Sequence, residues 1–122
     1  MARILVVEDN PSNMKLVTLI LESMDHSVIE SSNALEGIRL AQAEAPDLIL
    51  MDIQLPGMDG LEATRRLKAD PATQGLKVVA LTAFAMKGDE ERMRAAGCDD
   101  YIAKPIRHAE FVQRITGLLV AG

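Results

Sequence analysis

Aromatic side chains are almost missing. The 122 residues include no tryptophan, one tyrosine and two phenylalanines. Phe84, Tyr101 and Phe111 are too few to build a base-stacking platform, so a single-stranded nucleic-acid binder is not expected. Basic charge is not in excess either. The net charge of −5 and isoelectric point near 5.0 argue against nucleic-acid or anionic-membrane surfaces as partners. A single cysteine allows no internal disulfide, which fits a reducing compartment. No apolar run approaches the roughly 20 residues needed to span a bilayer. The apolar stretch Ile4–Val7 is too short for the core of a secretory signal. No glycine-rich phosphate loop follows the first apolar run. The expectation is a soluble, cytoplasmic, monomeric protein.

What remains is an ordinary globular balance, 48% hydrophobic and 25% charged, with a core drawn from Leu, Ile, Val, Ala and Met. The length suits one domain over residues 1–122. Strand-like and helix-like segments alternate. Strands are predicted at Arg3–Val7, Ser27–Ser31, Asp47–Met51, Lys77–Leu81 and Tyr101–Ala103. Helices are predicted at Pro11–Met24, Ala34–Glu44, about Leu61–Ala69, Lys87–Ala96 and Arg107–Leu119. Asn10 and Asn33 are candidate caps, Pro11 suits a first turn, and Gly97 is a natural helix stop. Pro46 bounds the second helix from beyond. Val17, Ile20, Leu21 and Met24 recur at helical spacing, as do Phe111, Ile115 and Leu118 or Leu119. The pattern is (βα)₅, an α/β doubly wound five-stranded parallel sheet. The first and third strands are the most apolar and belong at the centre. The polar second strand belongs at an edge. The expected order is therefore 2-1-3-4-5, as in flavodoxin-like sheets, with a switch point between the first and third strands.

Polar residues close the apolar runs. Glu8 and Asp9 follow the first strand, Asp52 the third, Thr82 the fourth, and Lys104-Pro105 the fifth. Ligands of open α/β sheets bind at this edge. A single acid at a strand end is an ordinary solvated terminator. Three carboxylates facing a hydroxyl and an ammonium are not. Packing the acids together is costly unless a cation neutralises them. Oxygen donors select a hard ion, and a partly hydrated site suits Mg²⁺. With the ion in place, one carboxylate can attack phosphorus and hold the phosphoryl group as an acyl phosphate. Asp52 is the best candidate, because it ends the central strand beside the open Pro56-Gly57 loop. Lys104 and Thr82 can contact phosphoryl oxygens. A cis Lys104-Pro105 bond would aim the lysine inward. Tyr101 lies one strand away as a half-buried aromatic with a polar tip.

Other residues read as structural. His26 and His108 are expected to be unpaired and solvated, Cys98 to be a small helix-end residue, and Arg65, Arg66 and Lys68 to form a solvated helix face. Met14 and Leu16 are ordinary core or scattered exposure unless a partner covers them.

These residues resemble the receiver domain of two-component response regulators. The likeness runs through Ile4–Asn10, Pro46–Gly60, Leu81-Thr82-Ala83 and Lys104-Pro105, and so covers the whole chain. It implies that Asp52 is the phosphoacceptor. It further implies that Glu8, Asp9, Asp52 and the Gln54 carbonyl serve Mg²⁺, that Thr82 and Lys104 bind the phosphoryl group, and that Thr82 and Tyr101 form a switch pair. Gln54 and Phe84 would flank the site and tune water access. Glu8 stands where Asp is common, a frequent variant. The segment 83–92 is similar to that of single-domain members acting in cell division. The implied partners are a histidine kinase or histidine phosphotransfer protein and a downstream protein target. The chain ends soon after its last helix, so output is expected to be protein binding through the surface of the fourth helix, fifth strand and fifth helix.

The rivals are a receiver excised from a hybrid kinase or multidomain regulator, a Mg²⁺-dependent aspartyl-phosphate hydrolase, and a passive flavodoxin-like module. The hydrolase needs a second acid two residues beyond the nucleophile, where this chain has Gln54, and a substrate cap, for which it has no insertion. The expectation is a switch with at most slow self-dephosphorylation, not an enzyme.

Overall fold

Five apolar runs pair into one parallel sheet of order β2-β1-β3-β4-β5. The strands are β1 (Arg3–Val7), β2 (Ser27–Ser31), β3 (Leu48–Asp52), β4 (Val78–Thr82) and β5 (Asp100–Ala103). The helices are α1 (Pro11–Ser23), α2 (Ala34–Glu44), α3 (Gly60–Ala69), α4 (Lys87–Ala96) and α5 (His108–Ala121). The computed structural model describes residues 1–83 and 86–121, the last by its backbone only. Phe84 lies outside the described residues.

Alternation along each strand divides the core in two. Ile4, Val6, Leu48, Leu50, Val79 and Leu81 face α1 and α5, where Val17, Ile20, Leu21, Phe111 and Ile115 meet them. Leu5, Val7, Ile49, Met51 and Val78 face α2 and α3, against Ala34, Ala41, Ala63 and Leu67. Ala80 continues this second face toward Met93 and Ala96 of α4. Tyr101 packs at the edge of that cluster, and Thr82 has the same strand parity as Ala80. Thr82 and Tyr101 therefore share the α4 side of the sheet, with Ala80 opposite Tyr101 and Thr82 opposite Ala103 in the ladder.

Local chemistry starts the helices. The Asn10 side chain accepts the Ser12 and Asn13 amides, with Pro11 in the first turn. Asn33 caps α2 and Asp59 caps α3 in the same manner. Each such cap contributes about 1 kcal/mol. Gly97 ends α4 at φ 103°, a left-handed conformation open to glycine, and lets the Gly97 and Cys98 amides close on Arg94 and Met93 carbonyls.

Two strands begin and end one residue later than predicted. Asp47 is not in β3, because its side chain takes the Arg3 amide as an end-cap on β1. At the far end the ladder does not stop at the first polar side chain. Asp52 pairs with Leu81 and Thr82 with Ala103, so the carboxylate and the hydroxyl are held by strand backbone and not by loops.

Two residues read as solvated are structural. His26 is half-buried, and its Nδ1 accepts the Ala2 amide at 3.0 Å. Lys68 reaches from α3 to the loops before β4 and β5, where its Nζ donates to the Leu76 carbonyl at 2.8 Å and to Asp99 Oδ2 at 2.9 Å. Its head thus finds two acceptors. Arg65 and Arg66 stay exposed against Glu62, and His108 is exposed, as predicted. Cys98 is half-buried beyond the end of α4, with its thiol pushed up chiefly by burial. Met14 packs on the core while Leu16 stays exposed.

Candidate functional site

The C-terminal ends of β1, β3 and β5 bring Glu8, Asp52 and Lys104 together. The β1–β3 register sets Val7 beside Met51, so the residues that follow emerge side by side. One carboxylate oxygen from each of Glu8, Asp9 and Asp52 lies within 4.8 Å of the others. Glu8 and Asp52 are each only 2% exposed, while Asp9 is open to solvent. The cluster thus has a closed floor of two acids and one acid at its mouth.

Lys104 Nζ spans the floor, 3.0 Å from Glu8 Oε1 and 3.1 Å from Asp52 Oδ2. Its peptide bond to Pro105, an isomer the sequence left open, is cis, and its amide donates to the Thr82 carbonyl at 2.7 Å. Asp52 Oδ1 accepts the Gln54 amide at 2.9 Å. Glu8 Oε2 accepts the Asn10 amide at 3.3 Å. These bonds fix both carboxylates in rotation, so their oxygens are presented to the cluster without further ordering.

Burial and a neighbouring acid act together on Glu8. Its carboxyl is pushed up to about 7, first by burial and then by the Asp52 carboxylate beside it, against the pull of Lys104. Burial acts against the Lys104 ammonium, yet the hydrogen bond to Glu8 and the charge of Asp52 outweigh it and raise its affinity for a proton. One ammonium therefore serves two carboxylates, and Asp9 adds a third acid. Such a donor set fits a hard divalent cation, with Glu8, Asp9 and Asp52 as the side chains able to hold it. The side chain of Gln54 is exposed beside the cluster.

Thr82 is fully buried at the end of β4. Tyr101 is half-buried, and its hydroxyl donates to the Glu90 carboxylate on α4. The structure therefore brings together Glu8, Asp9, Asp52 and Lys104, and sets Thr82 and Tyr101 on the neighbouring α4 face.

Two residues that sequence reasoning did not single out support the site. Gly60, the first residue of α3, lets that helix abut the end of β3. A Cβ there would lie 2.2 Å from the Asp52 carbonyl oxygen and 2.7 Å from the Ile53 Cα. The signal available was an acidic cap, Asp59, followed directly by glycine. Glu90 is the second, and nothing in its surroundings in the sequence marks it out from its acidic neighbours Asp89 and Glu91.

The model of the family described as response regulator receiver domain matches residues 4–116. The polar-differentiation response regulator DivK of Brucella anthropi is 49% identical over 95% of this chain and 94% of its own length. The DivK of Brucella ovis is 48% identical over the same shares. Among solved structures, the receiver domain of sensor histidine kinase PA1611 from Pseudomonas aeruginosa PAO1 superposes with a TM-score of 0.89 at 36% identity, covering 97% of each chain. That structure has a magnesium ion coordinated in its active-site cleft. The chemotaxis protein CheY4 of Vibrio cholerae, at 21% identity, shares the fold with a TM-score of 0.91 over 97% of this chain and 98% of its own.

Proposed function

The chain belongs to the response regulator receiver domain family, and on that footing we propose that Asp52 is its phosphoacceptor and that Glu8, Asp9 and Asp52, with the Gln54 carbonyl, hold Mg²⁺. The observation that carries this reading is the convergence of three carboxylates on one lysine at the switch-point edge of the sheet. When bound, Mg²⁺ supplies positive charge that offsets repulsion between the acids and a phosphoryl group.

Asp52 is oriented for attack by the Gln54 amide on its Oδ1. Its oxygen bonds to phosphorus as the bond from phosphorus to a donor histidine nitrogen breaks. The imidazole leaves with the electron pair. Lys104 Nζ is already within 3.1 Å of Asp52 Oδ2 and can follow the charge onto the new phosphoryl oxygens. Thr82 offers a hydroxyl from the adjacent strand. Its shift toward the phosphoryl group would change the space open to Tyr101 on the same sheet face. The surface of α4, β5 and α5 would then change, biasing an existing equilibrium and not creating a new state.

The donor is a histidine kinase or histidine phosphotransfer protein, and the output is binding to a further protein. The likeness to DivK supports a role in cell-division control. No described helix is long and apolar enough to cross a membrane. Titrating Mg²⁺ should shift the amide signals of Asp9, Ile53 and Gln54. Unchanged spectra at millimolar ion would reject the metal site. The chain should show only slow, self-limited phosphate release. Sustained multiple turnover of small phosphoesters would reject the switch in favour of a hydrolase.

Lys104→Met separates two effects of the ammonium. Removing it leaves two buried acids without their cation, so the metal-free variant should lose about 2 kcal/mol of stability at neutral pH. The same loss deepens the negative potential at the cluster. Added Mg²⁺ should therefore raise the melting temperature of the variant more than that of the parent chain. Equal shifts in both would contradict the placement of the ion among these acids.

A further inference from the structure

Tyr101 is gripped by groups outside the acidic cluster. Its carbonyl accepts from the Arg114 guanidinium of α5 at 2.6 Å, and its amide donates to Asp100 Oδ1 at 2.8 Å. Arg114 closes this triangle by donating to the same Asp100 oxygen at 2.9 Å. Together with pairing to β4, these bonds fix the backbone at Tyr101 and leave side-chain rotation as the coordinate open to change. The ring itself rests on the cluster containing Met93, and its outer end is tied to α4 by the bond to Glu90.

That tie has a particular place in the fold. Glu90 is in the first turn of α4, and the α4 N-terminus receives no side-chain cap from Met86. The strand that ends in Thr82 leads into this turn. Glu90 thus joins the ring on β5 to the helix that follows Thr82 directly in the chain. A hydrogen bond to an ionised acceptor is stronger than one between neutral groups.

We propose that Glu90 is a positioning residue for Tyr101: its carboxylate holds the ring against α4 and so opposes the ring movement that loading of Asp52 calls for. This rests on the reading of Asp52 as the loaded residue. A ring leaving α4 must break the bond to Glu90, and that cost is set against whatever binds at Asp52. By linkage, removing the bond tightens binding at the acidic site, although Glu90 is not one of the three clustered acids.

The chain supplies its own probe, since Tyr101 is its one tyrosine and it has no tryptophan. Absorbance and fluorescence of the phenol report this side chain alone. The phenol titrates above its ordinary value, first because of the hydrogen bond to Glu90 and then through burial and the charge of Glu90, with Arg114 opposing and Asp100 adding. Arg94 and Asp99 border the same cleft.

The test uses the full chain in two arms. In the first, the phenol is titrated without ligand by ultraviolet absorbance. In the second, beryllofluoride is added in excess Mg²⁺ and followed by tyrosine fluorescence. Glu90→Ala is expected to lower the phenol pKa and to tighten beryllofluoride binding by about threefold. Glu90→Gln, with a neutral acceptor of the same size, should fall between. Glu91→Ala, on the exposed side of the same turn, should match the parent chain in both arms. An unchanged phenol titration in Glu90→Ala overturns the tie. Binding that is unchanged or weaker in Glu90→Ala overturns its opposing role. A parent chain that gives no beryllofluoride response, like Asp52→Asn, would instead defeat the reading of Asp52, and the ligand-free titration then decides the tie alone.

Discussion

Asp52→Asn is expected to reduce phosphoryl uptake from a small phosphodonor by at least about a thousandfold, while melting at the same temperature as the parent chain or above it. The two outcomes have separate causes. An amide oxygen is a poor nucleophile and cannot form a stable acyl phosphate, so chemistry stops. The fold, however, loses little. Asparagine has the same size, and its oxygen can still accept the Gln54 amide that now bonds Asp52 Oδ1 at 2.9 Å. Lys104 keeps Glu8, 3.0 Å away, as its partner. Removal of one charge also relieves Glu8, whose carboxyl is raised by burial first and by Asp52 next. The net change in stability should lie within about 1 kcal/mol, tilted toward stabilisation. Phosphoryl uptake is read by intact mass, and stability by thermal and denaturant unfolding. A variant that still takes up a hydroxylamine-labile phosphoryl group would reject Asp52 as acceptor.

Gly60→Ala is expected to cost about 3 kcal/mol or more, a large effect for one methyl group. The reason is the short distance between the first turn of α3 and the end of β3. The Gly60 amide donates to the Ile53 carbonyl at 3.3 Å, and a Cβ at Gly60 would sit 2.2 Å from the Asp52 carbonyl oxygen. Both obstructing groups are backbone, so no rotamer change can relieve the contact. Either α3 moves away, uncovering Leu61 and Ala63, or the Asp52–Ile53 backbone yields and misplaces the Asp52 carboxylate. Phosphoryl uptake by the folded fraction should fall as well. Gly117→Ala is the control, because nothing lies within 4 Å of a Cβ there. That change should stabilise α5 by up to about 1 kcal/mol through helix propensity alone. Equal stability of Gly60→Ala and the parent chain would contradict the close approach.

Much of the architecture is legible in the sequence. Parallel strands buried on both faces are near-continuous apolar runs, and Leu48–Met51 and Val78–Leu81 have that form. Asn10, Asn33 and Gly97 mark helix ends through local backbone chemistry, which is why those boundaries hold. The apolar pattern stops one residue short of the strand ends at Asp52 and Thr82. A polar side chain looks like a terminator, but the backbone ladder is indifferent to it. The acidic cluster was legible because chain order and sheet topology alone bring strand ends together.

Contacts made at long range between ordinary residue types were not legible. Lys68 and Asp99 are one pair among many possible ion pairs, and only their approach in space selects them. The same holds for His26 with Ala2, and for Glu90 with Tyr101. Gly60 stood inside a recognisable motif, yet its need to lack a side chain arises from how near α3 passes to β3. Local pattern thus carried the positions of the acidic cluster and its lysine, while packing between elements carried the contacts that hold them.

The most direct measurement locates the phosphoryl group itself. The chain is incubated with a small phosphodonor, with Mg²⁺ or with chelator, and the acyl phosphate is trapped by reduction before peptide mass mapping. A single modification at Asp52, formed with Mg²⁺ and suppressed by chelator, is the predicted result. Modification at another residue, or equal labelling of Asp52 in chelator, would contradict a metal-assisted acceptor built from Glu8, Asp9 and Asp52.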